Sequence, residues 1–173
     1  MPNKEPRFLV FEKLTKEQVD DLMLIKTASS ARQLLAELLD PYKTAEKFAL
    51  EGDQKIDEKA EIVLDFHVNN YEFTLLNNFN AQKTDTFLEM MDHIFIKCMA
   101  DRLPKDKAMV LFKTYCLRHS VQRPPHSLFI FNLNEVKEMT HFVQYGFLKF
   151  YSMYQYAIIS KLELEMEHHK LFL

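Results

Sequence analysis

Glycine is nearly missing: Gly52 and Gly146 are the only two among 173 residues. Loops that cradle phosphates or dinucleotides need several backbone positions without side chains, so Rossmann and Walker turns are excluded. Tight hairpins lean on Gly, Asn-Gly and Asp-Gly, which disfavours turn-rich β architectures. Tryptophan is absent, and Cys98 with Cys116 are the only cysteines. Two thiols make neither a disulfide framework nor a four-thiolate zinc site, so a reducing compartment is expected. No apolar run reaches the roughly 18 residues that span a bilayer. Residues 1–6 lack the apolar core of a secretory signal. The expectation is a soluble, intracellular, helical protein.

What remains is 47% hydrophobic and 27% charged, with a net charge of −3. At about one domain's length, that is enough to build a core. The charge is uneven. Residues 1–96 hold 11 basic and 18 acidic side chains, whereas residues 97–123 hold 7 basic and 2 acidic ones. A basic segment in a mildly acidic chain suits one acidic partner surface better than general nucleic-acid binding. It equally suits folding back onto the chain's own acidic half.

Helical spacing of apolar residues runs through most of the sequence. The extended segment Arg7-Phe-Leu-Val-Phe11 precedes Thr15, whose spacing to Gln18 is that of a capping box. Leu34, Leu35, Leu38 and Leu39 mark a second helix, stopped at Asp40-Pro41, and Pro41 can open a third. Residues 46–61 are polar and read as a loop or frayed end. Ile62, Val63, Phe66, Asn70, Phe73 and Leu76 form a strong stripe. Further helices are expected over 84–103 and 107–119. The pair Pro124-Pro125 then makes a rigid connector within 118–131, because proline fixes φ and lacks an amide donor. Asn132 or Asn134 can cap a last long helix, expected from 133 to about 170. The expected fold is all-α, an irregular domain of five to seven helices spanning 15–173, with an extended arm at 1–14 and at most a short ribbon near 8–11 or 128–131.

Chemistry-bearing clusters are few. Glu138/His141 and Glu165/His168 have the Glu-x-x-His spacing of dimetal bundles, but both fall in one helix about seven turns apart. Glu89, Asp92 and His93 read as ion pairs on an exposed face. Cys116 and His119 share a helix face beside Arg118, yet no orienting acid accompanies them. A buried structural thiol next to a solvated histidine is the simpler account. His67 borders a core stripe and reads as a partly buried, hydrogen-bonded histidine. No catalytic residue, metal ligand or cofactor is assigned. An enzyme using Glu138, His141 and Cys116 stays as an alternative, as does a module binding tubulin or another acidic surface.

The aromatic segment is the most informative. Val136, Val143, Phe147, Phe150 and Tyr154 trace one helical stripe, while Phe142, Tyr145, Leu148 and Tyr156 fall largely outside it. The helix is therefore either covered on several sides or presents a second apolar face to a partner, as tyrosine-rich surfaces do. The expectation is mixed: Val143, Phe147, Phe150 and Tyr154 in the core, Tyr145 and Tyr156 toward a partner. With them, Arg118, Arg123, Pro124, Pro125, Phe142 and Leu148 make up the candidate partner-binding set, the arginines matching carboxylates bidentately.

The string Leu117-Arg-His-Ser-Val-Gln-Arg-Pro-Pro125, followed by Leu128-Phe-Ile-Phe131, Val143-Gln-Tyr-Gly-Phe-Leu-Lys-Phe-Tyr151 and Tyr154-Gln-Tyr156, resembles the small helical cilia- and flagella-associated proteins also known as coiled-coil-domain-containing proteins. Asp65-Phe-His-Val-Asn-Asn-Tyr-Glu-Phe73 fits the helical body of the same family. The resemblance implies a non-enzymatic subunit of the motile axoneme, in a central-pair projection of the C1a type. It further implies a large scaffold subunit and other small subunits as partners, with calmodulin nearby; from charge and hydropathy, no nucleic-acid or membrane partner is expected. Microtubule contact would be indirect, and the implied location is the cytoplasmic cytoskeleton of the cilium.

Overall fold

Thr15 opens the first helix by a reciprocal capping box: its side chain accepts from the Gln18 amide, and Gln18 returns a bond to the Thr15 amide. In the computed structural model, which describes residues 9–49, 55–124 and 127–159, this is α1 (Lys16–Leu24), followed by α2 (Ala28–Leu39) and α3 (Pro41–Glu46). Asp40 ends α2 in the left-handed conformation and caps α3 by accepting from the Lys43 amide, with Pro41 at the first helical position. Then come α4 (Ile56–Leu76), α5 (Ala81–Ala100), α6 (Lys105–Arg118), α7 (Leu133–Tyr145) and α8 (Tyr151–Ile158). The all-α expectation holds. Among the described residues the strand-type pairing is a single antiparallel bridge between Arg123 and Ser127.

The helix expected over 84–103 runs three residues earlier, as α5, and two larger differences from the sequence pattern follow. α4 begins at Ile56, so its first turn takes in residues that read as loop; Asp57 and Glu58 there complement the helix dipole. The expected long last helix is two helices, α7 and α8, which makes the count eight among the described residues. The break is at Gly146. Its amide bonds to the Phe142 carbonyl at 2.8 Å, and the Leu148 amide reaches back to Val143 at 2.8 Å, closing α7. A Cβ at position 146 would stand 2.8 Å from the Phe142 oxygen, so only glycine accepts this approach. Residues 160–170 of the expected helix, with Glu165 and His168, lie outside the described residues.

The helix α5 is the axis of the fold. Residues Thr84 to Asp92 are all buried, on every side of the helix. One face joins a core with α4, α6, α7 and α8, rich in rings: Phe66, Phe95 and Phe147 lie within 6.1 Å of one another, centroid to centroid. The opposite face joins Leu14, Val19, Leu22, Leu35 and Tyr71 in a second core under α1 and α2. Tyr71 closes that side by donating its hydroxyl to the carbonyls of Leu22 and Ile25. Two further helix ends, at Asn78 and Arg102, use left-handed residues that are not glycine. In each, the following residue bonds back five positions, Phe79 to Thr74 and Leu103 to Cys98.

Candidate partner interface

The break at Gly146 decides which aromatics face outward. In an unbroken helix Leu148 would point away from the Val143 stripe and Phe150 along it. Instead the turn brings Leu148 into the core at 3% exposure and leaves Phe150 half outside. Leu148 thus presents no surface to a partner, and Phe150 is no core residue; both differ from the sequence expectation for this one reason. Val143 and Phe147 are buried, and Tyr154 is partly buried against Phe66 and Phe147. Phe142 is half-buried, stacked on Phe73 with centroids 4.4 Å apart. Tyr145 is 59% exposed and Tyr156 72% exposed. Tyr145 lies against the His141 ring at 4.5 Å.

Between α4 and α8 runs an apolar groove of about 610 Å³, lined by Ile62, Phe150, Met153, Tyr154, Tyr156 and Ala157. A smaller hollow of about 210 Å³ continues it past Phe150 and Tyr154 toward Phe142 and Gly146. Met153 on the rim is also exposed. Sequence reading missed Met153, although Met153 and Tyr156 are three residues apart and therefore neighbours on one helix face.

The connector is held by backbone bonds. Arg123 and Ser127 exchange two, and the Leu128 amide bonds to the Arg118 carbonyl at 2.9 Å. Arg118 lies over the Tyr115 ring at 5.3 Å, half-buried, whereas Arg123 and Pro124 are exposed. Pro125 and His126 lie outside the described residues.

His119 is wholly buried, not solvated. Its Nδ1 donates to the Tyr115 carbonyl at 2.9 Å, leaving Nε2 to accept from the Leu9 amide at 3.1 Å. Its own carbonyl accepts from Ile130 and Phe131. Burial, with the nearby Arg118 charge, holds the imidazole below its ordinary pKa, in keeping with a neutral ring. One histidine thus ties the N-terminal segment, the end of α6 and the connector together.

Glu89 and Asp92 are likewise buried rather than on an exposed face. With Asp85 they form a row at i, i+4 and i+7 on α5, and residues 9–14 lie along it. The Phe11 amide donates to Asp85 at 2.5 Å. Glu89 Oε1 accepts from the amides of Lys13 at 2.5 Å and Leu14 at 3.0 Å. The Lys13 ammonium reaches Asp92 at 2.9 Å. Burial raises Asp85, the Phe11 bond pulls it partway back and Glu89 raises it again, leaving it at about 7. Burial would raise Asp92 too, but His67, at 3.4 Å and fully buried, and the Lys13 charge outweigh it and hold the carboxyl at about 2. The acids therefore seat residues 11–14. Their i, i+4, i+7 spacing was the available signal, inside a helix with apolar residues on either side.

Burial pushes the Cys98 thiol up to about 11 and the Cys116 thiol up to about 12, the reverse of what a nucleophilic cysteine needs. Glu138 and His141 are both exposed on α7. Among the described residues no three His, Cys, Asp or Glu side chains group as a metal site. No helix among them is long and apolar enough to cross a membrane. Residues 69–166, more than half of the chain, match the family model described as CLAMP, flagellar C1a complex subunit C1a-32.

Proposed function

The chain belongs to the CLAMP family of flagellar C1a complex subunits, and from that premise we propose a non-catalytic adaptor that docks other C1a subunits through the α4–α8 groove. The family places it in the flagellar axoneme. The observation that carries the docking reading is the open apolar groove rimmed by Phe150, Met153 and Tyr156, with Tyr145 exposed nearby. Large exposed apolar surfaces rarely stay unpaired, and tyrosine and methionine are enriched where proteins meet. The non-catalytic part is supported by the raised thiols and by the buried acids, whose oxygens hold backbone amides. In this reading residues 1–14 are the arm and 15–173 the helical domain, while the connector with Arg118, Arg123, Pro124 and Pro125 adds a contact to an acidic neighbour. A large scaffold subunit is the proposed main partner, with smaller subunits alongside.

The test is incorporation. Tyr145→Ala and Tyr156→Ala proteins are expected to melt within about 0.5 kcal/mol of the parent, since both side chains are exposed. Returned to flagella that lack this chain, the same variants are expected to lose assembly into the C1a complex, at about 2 kcal/mol per anchor. A lowered melting temperature with normal incorporation would show these rings to be structural and sink the reading.

A further inference from the structure

We infer that the outward face of α6, with the connector tied to its end, is a second docking surface, built for an acidic amphipathic helix of a neighbouring subunit. The inference rests on the subunit reading above for its setting, but this face shares no lining residue with the α4–α8 groove. Val110 and Leu117 are 59% and 63% exposed and lie two turns apart on one side of α6. That spacing makes a ridge of about 10 Å, the period that a second helix offers in return. Val121 and Phe129 extend it beyond the helix end, also exposed. The Phe129 amide is fixed by a bond to the Gln122 side chain at 2.9 Å, and the neighbouring Leu128 amide by the Arg118 carbonyl, so the extension is held against α6.

Charge selects the occupant. Lys107 and Lys113 flank the ridge on opposite sides, and Arg123 lies beyond its C-terminal end, all three exposed. None of the ion pairs among the described residues engages these three cations. Asp106, the one acid in α6, lies one turn before Val110 on the same face, where it confines the positive stretch to the part of the ridge from Lys107 onward. Apolar side chains with a lysine on each side call for their complement, an apolar ridge between carboxylates. A polyacidic tail or a nucleic acid would use the cations and leave Val110, Leu117 and Phe129 in water. The ridge therefore favours a helix over either.

Carbodiimide, which joins an amine directly to a carboxylate, tests this on intact axonemes. Lys107 and Lys113 are expected to link to Asp or Glu residues of another C1a subunit, spaced three or four apart on an apolar-striped segment. In axonemes carrying Val110→Asp/Leu117→Asp protein those links should fall about tenfold, while the purified variant stays folded and melts only a few degrees lower, the effect of aspartate as a weaker helix former and of its charge in the last turn of α6. Links to tubulin carboxylates, links only within this chain, or unreacted lysines would overturn the inference. Normal incorporation with such misplaced links defeats this surface alone, whereas Tyr156→Ala protein that incorporates normally defeats the groove reading.

Discussion

Replacing Glu89 by alanine tests the seat of the N-terminal arm most directly. One carboxylate oxygen accepts two backbone amides, Lys13 at 2.5 Å and Leu14 at 3.0 Å, and Leu14 is buried in the core under α1. Alanine leaves both donors unpaired. Hydrogen bonds to a charged group contribute about 1.5–3 kcal/mol each, which sums to roughly 3–6 kcal/mol. Against that stands the cost of burying the carboxylate, visible in a pKa raised by burial in spite of the two amides. The expected net loss is about 3 kcal/mol, or about 6–12 °C in melting temperature for a chain of this length. Glu89→Gln keeps an acceptor oxygen and removes the like charge beside Asp85, so it should cost about 1 kcal/mol or less. Amide hydrogen exchange supplies the local readout: in Glu89→Ala the Phe11, Lys13 and Leu14 amides should lose protection before those of α5. If those amides stay protected, or if glutamine costs as much as alanine, the arm is held by apolar packing and not by the acid row.

Asp85 adds a pH dependence. Its carboxyl titrates near 7 in the folded protein but near 4 in an unfolded chain, so between those values the folded state holds the extra proton. Stability from this group is greatest at the acid end of that window and declines as the pH rises through 7. Asp85→Asn keeps an oxygen for the Phe11 amide, and denaturant titrations should show its advantage over the parent growing by about 2–3 kcal/mol between pH 5 and pH 8 and vanishing below about pH 4. Backbone conformation gives an opposed pair. Arg102, at φ 47° after α5, should gain about 0.5–1 kcal/mol on replacement by glycine. Gly146→Ala should lose about 1–3 kcal/mol, because its Cβ meets the Phe142 carbonyl; thermal melts that reversed either sign would contradict the backbone reading.

Local chemistry was legible in the residues themselves. The Thr15–Gln18 box, the Asp40-Pro41 boundary, the Asn132 cap and the apolar periods of α4, α5 and α6 depend on neighbours within one or two turns, and each lies where its spacing implies. Scarce glycine signalled the helical class, yet left-handed positions still occur, filled by Phe11, Asp40, Asn78 and Arg102. The family resemblance, carried by the segment from the connector onward, agrees with the match over residues 69–166.

Burial of polar groups was not legible. Glu89, Asp92 and His119 look solvated when only their own helix is considered. They are buried because residues 9–14, far away in sequence, pack over them, offering amides to Glu89 and His119 and the Lys13 ammonium to Asp92. The direction of the last aromatics was equally hidden. A single close approach at Gly146 turns Leu148 inward and Phe150 outward, and a helical wheel carries no record of such a break. Sequence by itself determined which segments are helical and which face of each is apolar, since those follow from short-range spacing. Tertiary structure alone decided which second faces stay open, on α6 and α8, because exposure is set by what the rest of the chain leaves uncovered.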